Sequence, residues 1–421
     1  MRTVHVGLLG FGKVGQAVAR ASVLGRDRLR ARGVDLAVTR ALVRDAARPR
    51  APGSPPVALV ADPDAFFRHR HDVIVEALGG VEPAWRHVTR ALERGTPVVT
   101  ANKSLVAARG EELQGIAARY GTSLRFEACA LAGVPFIGAL ERRPLVASLT
   151  RLSAILNGTS NFILSAMARD HLPFGEALGR AQSLGLAEPD PSNDVQGVDA
   201  AEKLALLAAC FGARIVEPGA IETTGIGALA PSDLAQAAAF GGAIKPVAYA
   251  SFGDAFVDAF VGPAFVSDRH PLAAVSGRLN AIAIDGRFVD GLFFSGPGAG
   301  PDVTAATLLD DVVEAVLWRE AAANGTPWRG PRERATCRAP ITPWFVRFEF
   351  PSGAPNESAL SELLAAHRVW LRRAAPSEHA GSHDELGAIT HACSRDHLER
   401  GLEPVRAATG GATHAVRVLE N

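Results

Sequence analysis

An excess of charge is the first thing missing. Lys+Arg and Asp+Glu number 44 each, so the formal net charge is zero and the pI is about 7.2. Nucleic acid and anionic membrane surfaces attract a basic field, and this balance argues against either as the main partner. Paired cysteines are missing too. Cys129, Cys210, Cys337 and Cys393 are scattered with no C-x-x-C spacing, which excludes a disulfide framework or a zinc site. They read as buried, free thiols of a reducing compartment. The longest apolar run, Ala128–Leu140, falls short of the roughly 20 residues a membrane-spanning helix needs. The N-terminus lacks a basic n-region and is broken by Gly7, Gly10, Gly12 and Gly15, so it is not read as a signal peptide. A soluble, cytoplasmic chain of 421 residues is expected, long enough for two or three domains.

Lysine is the scarcest charge. Only Lys13, Lys103, Lys203 and Lys245 occur, so the generic surface cation here is an arginine. A lysine then marks a place that needs an ammonium able to exchange its proton, which a guanidinium does not do.

What is present begins with a β-rich run, Val4–Leu9, followed at once by Gly10-Phe11-Gly12-Lys13-Val14-Gly15 and a helical stretch, Ala17–Val23. Strand, G-x-G-x-x-G, helix is the context of a dinucleotide-binding loop. Gly10 permits the tight turn, Gly12 lets backbone approach a pyrophosphate, and Gly15 allows close helix–strand packing. A second strand, Leu36–Val43, ends in Arg44-Asp45. Arg44 could hold a 2′-phosphate, while Asp45 keeps a bare ribose as an option. Arg50–Val60 is a Pro-rich loop. Strands at Asp72–Ala77 and Pro97–Thr100 flank a helix at Pro83–Arg94, and end in Leu78-Gly79-Gly80 and Ala101-Asn102-Lys103. In a doubly wound sheet ligands bind at the carboxyl ends of strands, which makes Leu78, Gly79, Ala101 and Lys103 cofactor-side candidates.

A further strand, Ser123–Ala128, carries Glu127 among apolar residues, and a buried carboxylate needs a partner. Glu127 with the loop carbonyls that follow could cage a hard cation. Thr150–Leu156 leads into Asn157-Gly158-Thr159-Ser160-Asn161, a polar turn opening a helix, where free N–H groups suit a carboxylate ligand. An acidic loop with Glu188, Asp190 and Asp194 then runs into a helix holding Asp199, Glu202 and Lys203. From Leu204 to Ala213 that helix has no charge on any face, so burial is expected. Asp199 and Lys203 are spaced i,i+4 on one face; the plain alternative is a surface ion pair of a few tenths of a kcal/mol. Residues 220–300 read as short strands (Lys245–Phe252, Asn280–Ile284, Leu292–Ser295) between turns. They close on Gly296-Pro-Gly-Ala-Gly300, with a helix from Thr304 to about Ala321.

These strings resemble homoserine dehydrogenase from about residue 3 to 325, roughly three quarters of the chain. The likeness rests on G-F-G-K-V-G, V-E-A-L-G-G-V-E-P, V-V-T-A-N-K, F-E-A-(x)4-G-V-P, I-L-N-G-T-S-N-F-I-L, L-G-L-A-E-P-D-P-(x)2-D-V-x-G-x-D-A-A-x-K-L and S-G-P-G-A-G-(x)2-V-T-A. It implies NAD(P)-dependent interconversion of L-homoserine and L-aspartate 4-semialdehyde, a step towards threonine, methionine and isoleucine. By the same resemblance Gly10, Gly12, Val14 and Gly15, with Phe11 and Lys13 between them, form the cofactor loop, and Arg44, Lys103 and Gly300 are further NADP(H) or NAD(H) contacts. Glu188 holds the substrate ammonium and Asp199 its alcohol end, with Asp194, Gly158 and Thr159 beside them. Lys203 matches the proton donor, and Lys103 is a second catalytic candidate. Glu127 and the carbonyls of Ala130, Ala132 and Val134 resemble a loop for Na+ or K+. A homodimer or homotetramer is implied.

Beyond residue 340 the elements read β-α-β-β-α-β: Trp344–Phe350, Glu357–His367, Val369–Ala374, Glu385–His391, Arg395–Ala408 and His414–Leu419. That order is ferredoxin-like and resembles an ACT regulatory domain. Pro351-Ser-Gly-Ala-Pro-Asn replaces its usual acidic-x-Pro-Gly turn, so the fold is expected without an amino-acid effector site. The expected class is α/β. A Rossmann-type doubly wound domain covers 1–134 and is completed by a helix at 300–325. An α+β substrate-binding and dimerisation domain covers 135–299, and an ACT-like domain 340–421. Two rivals are a thioester mechanism on Cys129, which lacks a nearby histidine, and a non-catalytic sensor of NADPH and an amino acid.

Overall fold

The computed structural model describes residues 2–50, 53, 55–143, 145–211, 214–317, 333–351, 357–376 and 384–420. The chain divides into two compact units. One is Met1–Ser148 with Ala205–Ile215 and Gly296–Glu333; the other is Leu149–Leu204 with Val216–Ser295 and Arg334–Asn421. Among the described residues no helix is long and apolar enough to cross a membrane.

In the first unit, strands β1 (Arg2–Leu9), β2 (Val34–Leu42), β3 (Ala58–Val60), β4 (Val73–Glu76), β5 (Val98–Thr100) and β6 (Leu124–Arg125) form a sheet ordered 3-2-1-4-5-6. Every pairing is parallel. This is the doubly wound order, in which the connection reverses between β1 and β4 and leaves a crevice at their carboxyl ends. Parallel strands covered on both faces must be apolar throughout, and the four residues of β4 are all buried. The helix Pro301–Leu317 packs against Lys13–Leu24. It sends Ala305, Leu308, Val312 and Ala315 into one core with Val4, Val6 and Leu8. Residues 318–325 of the expected closing helix lie outside the described residues.

One expected strand is corrected here. Ser123–Ala128 pairs only over Leu124–Arg125, and Glu127–Cys129 is a 3-10 turn. The bend has a cause in side-chain bonding. The Glu127 backbone N–H donates to Asp311 Oδ2 at 3.0 Å, which takes that group out of the strand ladder.

The second unit is built on one mixed sheet. Along its path lie β7 (Leu149–Ile155), β8 (Gly242–Phe252), β9 (Phe256–Ser267), β10 (Leu279–Gly286), β11 (Leu292–Pro297), β12 (Trp344–Phe350), β13 (Leu371–Pro376), β14 (Asp384–Thr390) and β15 (Ala412–Leu419). Their order is 11-10-7-8-9-15-12-14-13. The last four give the ferredoxin-like arrangement, antiparallel throughout, with helices Glu357–Ala365 and Arg395–Thr409. β15 also pairs in parallel with β9, Ala264 against Arg417 to Val266 against Leu419. The C-terminal β-α-β-β-α-β element therefore shares a sheet with the middle of the chain.

Strand β9 was not among the expected elements. Gly262-Pro263 in its interior reads as a turn, yet Pro263 stands opposite Pro246 of β8, so the two missing donors fall at one rung of the ladder. The expected turn at 351–356 falls, from Ser352 on, outside the described residues, as do Gly212 and Ala213 at the end of the apolar helix.

Candidate active site

In the first unit, the turn after β1 brings bare backbone to an uncapped helix N-terminus. Gly10 follows β1 at φ +100°, and a Cβ there would stand 2.6 Å from the Ala77 carbonyl oxygen just past β4. At Gly15 a Cβ would meet the Gly10 carbonyl oxygen at 2.4 Å, so helix and turn touch backbone to backbone. Gly12, between them, faces open space. The helix that follows has no side-chain cap and no acidic residue in its first turn. Its free N–H groups and positive dipole end are left for an anion. Phe11 is buried against the core while Lys13 is exposed and Val14 half-buried. Gly79 and Gly300 both have positive φ with nothing near their Cβ positions. The loops bearing Leu78 and Gly300 can thus take a ligand against bare backbone.

Beneath this crevice lies a residue the sequence reading passed over. Glu76, at the end of β4, is fully buried. Its carboxylate accepts from Leu78 N at 2.7 Å, from Thr100 Oγ1 and from Asn102 Nδ2. Asn102 also caps the helix Lys103–Arg119 at Leu105 N. One carboxylate therefore ties together the two turns carrying Leu78, Ala101 and Lys103, the last being half-buried at the helix start. Burial pushes the Glu76 carboxyl above its ordinary value, against those hydrogen bonds. The signal was the same one used for Glu127: a lone acid in an apolar strand.

Arg44 and Asp45 follow β2, both exposed. Asp45 Oδ1 accepts from Ala47 N at 2.8 Å, so its carboxylate is turned into its own loop.

The second unit gathers the acidic loop and the lysine. Lys203 and Asp199 stand on the helix Val198–Phe211, with Nζ 2.9 Å from Asp199 Oδ2 and the side chains 15% and 17% exposed. The same ammonium donates to the Leu156 carbonyl at 2.9 Å, just past β7. Asn280, fully buried, donates to that carbonyl from the other side at 3.1 Å. From Leu204 to Cys210 the helix is buried, as its all-round apolar composition requires. This is no surface ion pair.

Asn157 is the node of the cluster, a role that no local pattern announces. Its Nδ2 donates to Asp194 Oδ1 at 2.7 Å and to Asp199 Oδ2 at 3.0 Å. Its Oδ1 caps the helix Gly158–Asp170 at Ser160 N. Gly158 is required by space, since a Cβ would lie 2.7 Å from the Arg278 carbonyl oxygen. Thr159 Oγ1 donates to the Leu186 carbonyl and Ser160 Oγ to that of Asp194, which fixes the acidic loop over the helix start. Glu188 is exposed on this loop, and its carboxylate has no partner among the described residues.

Glu127, in the first unit, is buried in its 3-10 turn. Oε1 accepts from Phe136 N and Ile137 N at 2.9 Å and Oε2 from Gly138 N at 2.6 Å. Ala132 O accepts from Thr307 Oγ1, and Val134 O from Phe136 N. Burial lifts the Glu127 carboxyl to about 7, against those three N–H groups, and burial with the Glu127 charge pushes Asp311 well up. Glu127 and Asp311 thus form a buried acidic pair, with the Arg125 charge opposing the rise at Asp311. A cavity of about 500 Å3 opens on it. Cys129 is buried, donates to the Thr100 carbonyl, and has its thiol pushed far up by burial, which rules out an activated cysteine.

A family model described as homoserine dehydrogenase matches residues 135–313, and one for the NAD-binding domain of homoserine dehydrogenase matches residues 10–127. The homoserine dehydrogenase of Bacillus subtilis is 31% identical over 400 residues, covering 92% of this chain and 91% of its own length. A solved homoserine dehydrogenase from Thiobacillus denitrificans superposes with a TM-score of 0.86 at 29% identity, covering 100% of this chain and 99% of that one. A hyperthermophilic archaeal homoserine dehydrogenase in complex with NADPH gives a TM-score of 0.61 at 26% identity, covering 75% of this chain and 98% of that one.

Proposed function

Because this chain belongs to the homoserine dehydrogenase family, NAD(P)-dependent oxidoreductases that interconvert L-homoserine and L-aspartate 4-semialdehyde, we propose that Lys203 moves the proton of that reaction. The observation that carries this is the fixing of the Lys203 ammonium by Asp199 Oδ2 and the Leu156 carbonyl. Two of its three donors are engaged, and the third is left for a substrate oxygen.

The bound nicotinamide supplies the hydride in the reductive direction and takes it in the oxidative one. As the aldehyde carbon gains that hydride, its oxygen gains negative charge. Lys203 donates to that oxygen and gives up a proton as the alcohol forms; in the reverse direction the neutral amine accepts the hydroxyl proton. Asp199 holds the ammonium in place and receives the alcohol end of homoserine. Asp194 and the exposed carboxylate of Glu188 take the substrate ammonium, and the helix start at Gly158 and Thr159 faces its carboxylate. A sensor without turnover has no use for a proton donor set in this way, and Lys103 serves the cofactor side.

Gly10, Gly12 and Gly15 would hold the pyrophosphate against the N-terminus of the first helix. NADP(H) is the preferred cofactor in this reading, since the exposed Arg44 can pair with a 2′-phosphate while the Asp45 carboxylate is turned away. Glu127 and the carbonyls of Ala130, Ala132 and Val134 would hold a monovalent cation, whose charge offsets Glu127 and Asp311. No step of the chemistry runs through it. Assembly as a homodimer or homotetramer belongs to the same reading. The test is turnover: the nicotinamide absorbance change with homoserine and NADP, in wild type and Lys203→Ala. NADP binding should survive the substitution while turnover is lost.

A further inference from the structure

The ferredoxin-like element reaches the segment beside the acidic loop through two arginines. Arg417 of β15, only 2% exposed, donates to both carboxylate oxygens of Glu222 at 2.8 and 2.9 Å. Arg395, first residue of the last helix, donates to Glu222 Oε1 at 2.9 Å and to Thr224 Oγ1 at 3.1 Å. Both guanidinium groups lie over the Trp344 ring, 4.5 Å away for Arg417 and 5.1 Å for Arg395. Trp344 and the Pro340 carbonyl, which accepts from Arg417, belong to the same C-terminal segment. Two cations would repel each other here without the Glu222 carboxylate between them, so the three groups hold one arrangement.

Glu222 begins a short segment wedged between β9 and the acidic loop. Glu222–Thr223 pairs in parallel with Phe260–Val261, and Thr224 N donates to the Val261 carbonyl at 2.8 Å. On its other side Ile226 N donates to the Val195 carbonyl at 2.9 Å. There is no slack. A Cβ at Gly225 would stand 2.9 Å from the Val195 carbonyl oxygen, and one at Gly197 would stand 2.9 Å from Thr223 Cγ2. Val195 and Gly197 lie between Asp194 and Asp199, the two carboxylates joined by Asn157. A shift of residues 222–226 is therefore passed by contact to both acids.

We propose that Arg395 and Arg417 are positioning residues for the substrate acids, acting through Glu222 and Thr224 on the Val195–Gly197 turn. This rests on the assignment of Asp194 and Asp199 as substrate-binding. The C-terminal element is then part of the substrate site's scaffold, and whatever moves its last helix or strand moves the homoserine affinity.

Steady-state kinetics on the full-length enzyme test this with Arg395→Ala, Arg395→Lys, Thr224→Val, Asp194→Asn and the control Arg338→Ala. Arg338 pairs with Asp258 on the same sheet and is half exposed. Arg417 is left intact because its burial makes misfolding the trivial outcome. Arg395→Ala should raise KM for homoserine roughly 2- to 30-fold, with kcat and KM for NADP nearly unchanged. Arg395→Lys, which keeps the Glu222 contact, should recover part of that loss. Thr224→Val should act in the same direction, and Arg338→Ala should leave KM alone. Three results overturn the proposal. If Asp194→Asn raises KM while Arg395→Ala and Thr224→Val do not, the coupling is absent. If Asp194→Asn itself leaves KM unchanged, the site assignment beneath it has failed. If Arg338→Ala raises KM as much as Arg395→Ala, the effect is general loosening of the sheet.

Discussion

Asn157 offers the sharpest contrast between holding the fold and holding the site. Its oxygen caps a helix and its amide nitrogen separates two carboxylates, so the two halves can be changed apart. In Asn157→Ala both are lost. Loss of an N-cap costs about 1 kcal/mol, and a hydrogen bond to a charged group contributes about 1.5–3 kcal/mol. Counting the bond to Asp199 alone, kcat/KM for homoserine should fall about 10- to 150-fold, since 1.4 kcal/mol is roughly a factor of ten. Asn157→Asp keeps an acceptor at the cap and places a third carboxylate where Asp194 and Asp199 now find a donor. The cap is kept but three carboxylates then repel one another, so the variant should be at least as poor an enzyme as Asn157→Ala. The assay is steady-state turnover with NADP saturating, alongside thermal unfolding of the same samples. Wild-type kcat/KM in Asn157→Asp would show that the two acids need no donor between them, and the account of the cluster would be refuted.

The proposed preference for NADP rests on Arg44. Arg44→Ala should lower the ratio of kcat/KM for NADP over NAD, and an unchanged ratio would remove Arg44 from the 2′-phosphate. Glu127 should make stability depend on pH. Its carboxyl is raised in the fold from the ordinary 4.5 to about 7, so its burial costs nothing below pH 4.5 and the cost grows as pH rises to 7. The contribution is at most about 3 kcal/mol. Urea unfolding of wild type should therefore weaken across that window, and Glu127→Gln should weaken less; parallel slopes would contradict the assignment. Potassium or sodium should raise the melting temperature of wild type at pH 7.5 and not that of Glu127→Gln, which tests the cation loop without any turnover.

Much of the first unit was legible because its physics is local. Parallel strands buried on both faces must be short apolar runs, and each ends in the glycine or polar turn where the ligand crevice opens. The lysine at 203 stood out because the chain otherwise uses arginine, and its helix was readable as buried from composition alone. What was hidden depends on distance along the chain. Asn157 meets partners 37 and 42 positions away, and Arg417 meets Glu222 across 195 positions, so no local pattern announces either. β9 was concealed by Gly262-Pro263, a turn signal overridden by a facing proline in the next strand. Glu127 reads as a buried acid in need of partners, but the bend into a 3-10 turn follows from Asp311, far down the chain.

The claim that Lys203 moves the proton is tested most directly by Lys203→Arg. The substitution keeps a cation beside Asp199 but replaces a group that can exchange its proton with one that does not. General acid–base help is typically about 10²–10⁴-fold, so kcat should fall by that order in both directions, while KM for NADP stays near wild type. Near-normal turnover in Lys203→Arg would make Lys203 an electrostatic anchor for Asp199, leave Lys103 as the donor, and contradict the mechanism.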